Sequence, residues 1–146
     1  MPCCARPDGA HRRPRRQRVK QAALDLALDC GPTLDNFFPG ANAQVLRHLR
    51  LWCAEGTRSP VPIYLWGEAG SGKTHLLRAV AAALQAQGAR CGWMDAGTPP
   101  GEAFDEGWSV VLLDQVQGYG VAAQHQAFNW FVNAVAPAGG TPCAVL

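Results

Sequence analysis

The chain opens without apolar patterning. Residues 1 to 18 hold one aliphatic side chain larger than alanine, Met1. A stretch with so little to bury is expected to be disordered. Periodicity begins later. Val45, Leu49, Trp52 and Cys53 fall at i, i+4, i+7 and i+8, which predicts a helix from about Ala43 to Ala54 with Asn42 as its cap. Val61 to Trp66 is a short apolar run suited to a buried parallel strand. Leu77, Val80 and Leu84 then return to helical spacing, predicting a helix from Thr74 to Gln87 that closes at Gly88. Ala89 to Asp95 and Ser109 to Asp114 read as two more strands. Phe128, Phe131, Val132 and Val135 give the buried face of a last helix, from about Val121 to Val135, ended by Ala138-Gly139-Gly140. Thr141 to Leu146 begins a further strand. Strands that alternate with helices in this way predict an α/β fold, a parallel sheet flanked by helices.

The connection between the first predicted strand and its helix carries the chemistry. Gly67-Glu68-Ala69-Gly70-Ser71-Gly72-Lys73-Thr74 matches G-x-x-x-x-G-K-[ST] at every fixed position. Glycines at 67, 70 and 72 let the backbone turn tightly, and the amides of residues 70 to 74, Ser71 among them, then converge on a phosphate at the positive end of a helix. Lys73 would set its ammonium on the β- and γ-phosphates, and Thr74 would offer its hydroxyl to Mg²⁺. The strand Ser109 to Leu113 ends on Asp114. A carboxylate there faces the same sheet edge and would hold Mg²⁺ opposite Thr74. The next residue is Gln115, where many ATPases with this pair place a second acid. Glutamine can orient a water but cannot take its proton. The expectation is therefore nucleotide binding without rapid hydrolysis, with no catalytic residue in this chain.

Composition narrows the class. A chain of 146 residues with 48% apolar and 16% charged side chains is one globular domain by length. No apolar run approaches the roughly 20 residues of a membrane span. The N-terminus has charge but no apolar core behind it, so a secretory signal is not expected. The six cysteines form no C-x-x-C pair and the four histidines sit at no zinc spacing, so reduced thiols are expected. The net charge of +2 comes from one tail: Arg6, Arg12, Arg13, Arg15, Arg16 and Arg18 precede Val19, after which seven bases face ten acids. A basic run can touch nucleic acid, but nothing after it is basic enough to extend that surface.

Between the tail and the domain lies Gln21-Ala22-Ala23-Leu24-Asp25-Leu26. A glutamine followed by leucines at +3 and +5 suits an extended peptide docking on a partner, with both leucines in one apolar pocket. On the residues alone, the first turn of a small amphipathic helix is the more ordinary reading of the same stretch. Phe37 and Phe38, before Pro39-Gly40, suggest a loop anchored by aromatic burial.

Three segments together carry a family resemblance. Gly-Lys-Thr-His-Leu at 72 to 76, Thr-Leu-Asp-Asn-Phe-Phe-Pro-Gly-Ala-Asn at 33 to 42, and Leu-Leu-Asp-Gln-Val-Gln at 112 to 117 resemble the DnaA-like AAA+ ATPases. The likeness is strongest to the regulatory inactivators of that family, which lack a DNA-binding domain and carry a short clamp-binding peptide at the N-terminus. It covers residues 20 to 146.

The resemblance implies a P-loop domain of AAA+ type over residues 31 to 146, incomplete at the C-terminus, with the arginine finger beyond residue 146. It implies a clamp-binding peptide and linker at 20 to 30, carried by Gln21, Leu24 and Leu26. Residues 1 to 19 would then be a basic tail or a misplaced start, with Val19 as the true beginning. ADP or ATP with Mg²⁺ would be bound, and Asn36 to Gly40 would lie near the adenine with Phe38 as its apolar contact. The implied partners are DnaA and the sliding clamp (β subunit) of DNA polymerase III, with DNA met only indirectly, no membrane, and a cytoplasmic location. Two other readings stay open on the residues: an active initiator- or helicase-loader-like P-loop ATPase, and a non-functional fragment.

Overall fold

The computed structural model describes residues 31–54, 58–59, 61–137 and 143–146. Among these lie three helices, α1 (Ala43–Ala54), α2 (Lys73–Gln85) and α3 (Val121–Val135), and three strands, β1 (Cys91–Met94), β2 (Val110–Leu113) and β3 (Ala144–Val145). The strands form one parallel sheet in the order β1-β2-β3. Cys91 pairs with Val110, and Val110 with Ala144.

Alternation along β2 explains the layers. Val110 and Leu112 turn to one face, where Leu46 and Leu49 of α1 and Val80 and Leu84 of α2 pack on them. Val111 turns to the other, with Met94 and Val145, against Trp130 and Ala134 of α3. Both faces are covered, so β2 is apolar at every position rather than at every second one.

Helix limits follow the local signals closely. The helix predicted over 43–54 spans those residues, although Asn42 closes a 3-10 turn (Gly40–Asn42) rather than capping, its N–H donating to Pro39 O at 2.7 Å. The buried face of α1 is Leu46, Leu49, Trp52 and Cys53, with Leu46 in the place expected of Val45. α2 starts at Lys73 and ends where Gly88 takes a φ of 82°. There Ala89 N–H donates to Leu84 O and Gly88 N–H to Gln85 O, the paired bonds of a left-handed C-terminal stop.

Two predicted faces are corrected. The limits of α3 hold, but its inward stripe is Ala127, Trp130 and Ala134, joined by half-buried Ala123 and Val135. Phe128, Phe131 and Val132 are exposed. Small residues let the helix axis approach the sheet, and Trp130 fills the remaining gap against Trp108, with ring centroids 4.6 Å apart. The bulkier stripe is left outside.

The second correction is Val61 to Trp66, which is not a buried regular strand. It runs extended beside β3, with Ile63 N–H donating to Val145 O at 2.9 Å. Ile63 and Leu65 pack inward while Val61, Tyr64 and Trp66 stand exposed. No strand flanks its other side among the described residues, so only alternate residues find a core.

Cys53, Cys91 and Cys143 are free thiols. Burial pushes Cys143 up to about 11, which leaves it a poor nucleophile at neutral pH.

Candidate functional site

The extended segment delivers Gly67 to the sheet edge, and the loop to α2 follows. Gly70 and Gly72 take φ of 78° and 89°, backbone that a Cβ would strain. Ser71 N–H donates to Glu68 O at 3.2 Å, and Leu76 N–H makes the first helical bond to Gly72 O. Gly72 is crowded as well as twisted: a Cβ built there would stand 2.6 Å from Phe37 Cε2.

Lys73 turns back over this loop. Its Nζ donates to Gly67 O at 2.8 Å, Glu68 O at 2.7 Å and Ser71 Oγ at 3.3 Å. Those three contacts use all three protons of the ammonium. They also hold the charge at the mouth of the loop, where anionic oxygens would compete for the same protons.

Thr74 and Asp114 lie together at one sheet edge, with Thr74 Oγ1 donating to Asp114 Oδ1 at 3.1 Å. Asp114 is only 4% exposed, and this is its side-chain hydrogen bond among the described residues. The carboxylate also lines the groove beside Lys73, where a cation could reach it. The donor set, one carboxylate and one hydroxyl, fits Mg²⁺, which keeps several waters and takes further oxygens from phosphates. No cluster of three or more His, Cys, Asp or Glu side chains suited to a metal occurs among the described residues, so no all-protein cage competes with this site.

The strand end is shaped around that pair. Gln115 adopts φ 57° and ψ 39°, the left-handed region, and its carbonyl accepts Gly118 N–H at 2.8 Å. A glutamine there is held against its preference by the surrounding turn. Tyr119 then folds back, its hydroxyl donating to Met94 O at 2.9 Å. Burial pushes Tyr119 up to about 12, helped by the Asp95 and Asp114 charges.

Two grooves flank the phosphate loop. One, of about 680 Å³, runs past Lys73, Asp114 and Gln115 to Leu65, Trp66 and Phe131. The other, of about 450 Å³, lies between the loop and the segment before α1, and is lined by Phe37, Asn42, Val45 and Tyr64. Phe38 is not in it: its side chain is 90% exposed. Of the two adjacent phenylalanines it is Phe37 that faces the loop, which no spacing rule distinguishes. The contact between His75 and Asn36, at 2.9 Å across 39 residues, was not foreseen from the sequence. Gln21, Leu24 and Leu26 lie outside the described residues.

Residues 28–96 match the bacterial DnaA ATPase domain family. The match takes in the segment before α1, the whole phosphate loop and β1, and stops short of Asp114. A Neisseria meningitidis protein of known solution structure aligns at 22% identity over 94% of this chain and 81% of its own, with a TM-score of 0.43. No helix among the described residues is long and apolar enough to cross a membrane. The DnaA family match, lying over the loop that Lys73 closes, supports grouping this chain with the DnaA-like AAA+ ATPases.

Proposed function

We propose that the chain is an adenine-nucleotide-binding regulator of replication initiation, similar to the DnaA regulatory inactivator Hda. The observation that carries the nucleotide part is the assembly of Lys73, Thr74 and Asp114 at one sheet edge, with Thr74 and Asp114 in direct contact. In that reading the loop amides and Lys73 bind the phosphates of ADP or ATP, and Thr74 and Asp114 hold Mg²⁺, which neutralises phosphate charge. The groove beside Phe37 and Val45 receives the base. Gln115 supplies no base for hydrolysis, which suits a regulator rather than a motor.

The regulatory part rests on the family match and on residues 21–26. Gln21, Leu24 and Leu26 dock on the sliding clamp of DNA polymerase III, and the clamp-bound adaptor promotes hydrolysis of the ATP held by DnaA. Initiation is thereby restrained, in the cytoplasm. The intact phosphate loop also favours a second reading, an active initiator-like ATPase.

One pair of measurements separates them. Phosphate release by the full chain with Mg-ATP alone is expected to be slow, and retention on immobilised clamp is expected to vanish in Gln21→Ala. Rapid steady turnover would sink the adaptor reading, and undiminished retention would remove the docking peptide from it.

A further inference from the structure

We infer that residues 31–37 form a strap that holds the phosphate loop in shape, with His75 as the positioning residue that clips the strap to the start of α2. The inference rests on the nucleotide-binding part of the reading above.

The strap is anchored along its length. Leu34 is buried in the core beneath α1 and α2. Arg50 of α1 donates to Leu34 O at 3.1 Å and pairs with Asp35 at 2.9 Å. Thr33 and Asn36 close on each other: Thr33 N–H donates to Asn36 Oδ1 at 2.9 Å, and Asn36 N–H to Thr33 Oγ1 at 3.1 Å. The Asn36 amide nitrogen donates to Gly31 O at 3.0 Å, which fixes the amide's orientation.

His75 Nε2 reaches into this knot. It lies 2.9 Å from Asn36 Oδ1 and 3.2 Å from Thr33 O. Both are acceptors, so Nε2 carries its proton and donates. Immediately beyond, Phe37 packs tilted against His75 with centroids 5.5 Å apart, and its ring edge lies close beside Gly72. The Phe37 ring therefore occupies the space into which a side chain at position 72 would point. A displacement of Gly72 toward that ring would have to displace Phe37, so a strap held in place restrains the loop on that side.

Such a coupling is reciprocal between the two sites. It also has direction along the chain, because the strap directly follows residues 20–30. A partner holding residues 21–26 would act on a segment tied to the phosphate loop.

A clip that merely stabilises the fold would leave the loop alone, so the test reads the loop. The full chain and its His75→Ala and His75→Gln variants are compared by hydrogen exchange and by titration with pyrophosphate and Mg-ADP. In His75→Ala, exchange is expected to rise in residues 67–74 as well as in 31–37. Pyrophosphate and Mg-ADP binding should weaken by about tenfold. His75→Gln, whose amide N–H reaches the same oxygens, is expected to restore most of both. Exchange that rises in 31–37 alone, with binding unchanged, overturns the inference. If the unaltered chain binds neither pyrophosphate nor Mg-ADP, the nucleotide reading itself fails, and exchange at 67–74 in His75→Ala alone decides the coupling: a rise upholds it and no change overturns it. Should His75→Ala fail to fold, Phe37→Leu, which shortens the wedge on Gly72, carries the same comparison.

Discussion

Replacing Lys73 with alanine is expected to weaken Mg-ADP and Mg-ATP binding by about 100-fold, equivalent to about 2.7 kcal/mol. The magnitude follows from what the ammonium already does. In the described structure it spends its protons on two backbone carbonyls and a hydroxyl, all neutral. Transfer to phosphate oxygens replaces neutral acceptors with anionic ones, and bonds between ionised partners are roughly twice as strong. Removing one partner of a close charge pair in a binding site commonly costs about 2–5 kcal/mol. The low end applies because Lys73 is only half-buried and must first leave its three acceptors. Titration calorimetry with each nucleotide is the direct measurement. Affinity within about threefold of the unaltered chain, a difference of less than 1 kcal/mol, would mean that this loop is not where nucleotide binds. Folding should survive the change, since the carbonyls released at Gly67 and Glu68 belong to exposed residues and can turn to water.

The largest loss of stability is expected from Trp130→Ala, at about 3–5 kcal/mol. Trp130 is 1% exposed. It packs edge-on to Trp108, which in turn meets Phe104 with centroids 5.5 Å apart. Its Nε1–H donates to Glu102 O at 3.0 Å. Truncation would open a cavity under α3, break the contact to Trp108 and leave a carbonyl without its donor. Against a typical total of about 5–15 kcal/mol, that is a large share of the whole. Phe128→Ala supplies the contrast. Phe128 lies two residues away on the same helix but is 65% exposed, so its loss should fall within about 0.5 kcal/mol. Urea midpoints of the two variants rank them, and a larger loss for Phe128→Ala would mean that α3 packs on the sheet with the opposite face.

That contrast marks where the sequence could be read and where it could not. The phosphate loop was legible because its chemistry is contiguous: glycines, lysine and threonine act through backbone and side chains within eight positions. Asp114 was legible because a strand-ending carboxylate has one edge to face, and the structure puts it against Thr74. The limits of α1 and α3 followed from local periodicity and nearby turn residues. The inward face of α3 did not. Hydropathy favours Phe128, Phe131 and Val132, whereas the sheet accepts whichever stripe lets the backbone come closest, and alanines at 127 and 134 decide that. Val61 to Trp66 misled for a related reason, since an apolar run says nothing about whether neighbours exist on both sides. The choice between Phe37 and Phe38, and the meeting of His75 with Asn36, depend on how a distant segment is laid across the loop. No local pattern encodes that.

The exposure of the segment before the loop gives the molecule a built-in optical label. Of its five tryptophans, Trp52 and Trp130 are buried, Trp93 and Trp108 half-buried, and Trp66 is 83% exposed. Trp66 adjoins Gly67 and borders both grooves beside the phosphate loop. Its emission is therefore expected to be the red-most and the most open to quenching by iodide or acrylamide. Occupancy of either groove would screen that one indole while leaving the other four as an internal reference, with no dye attached and no residue changed.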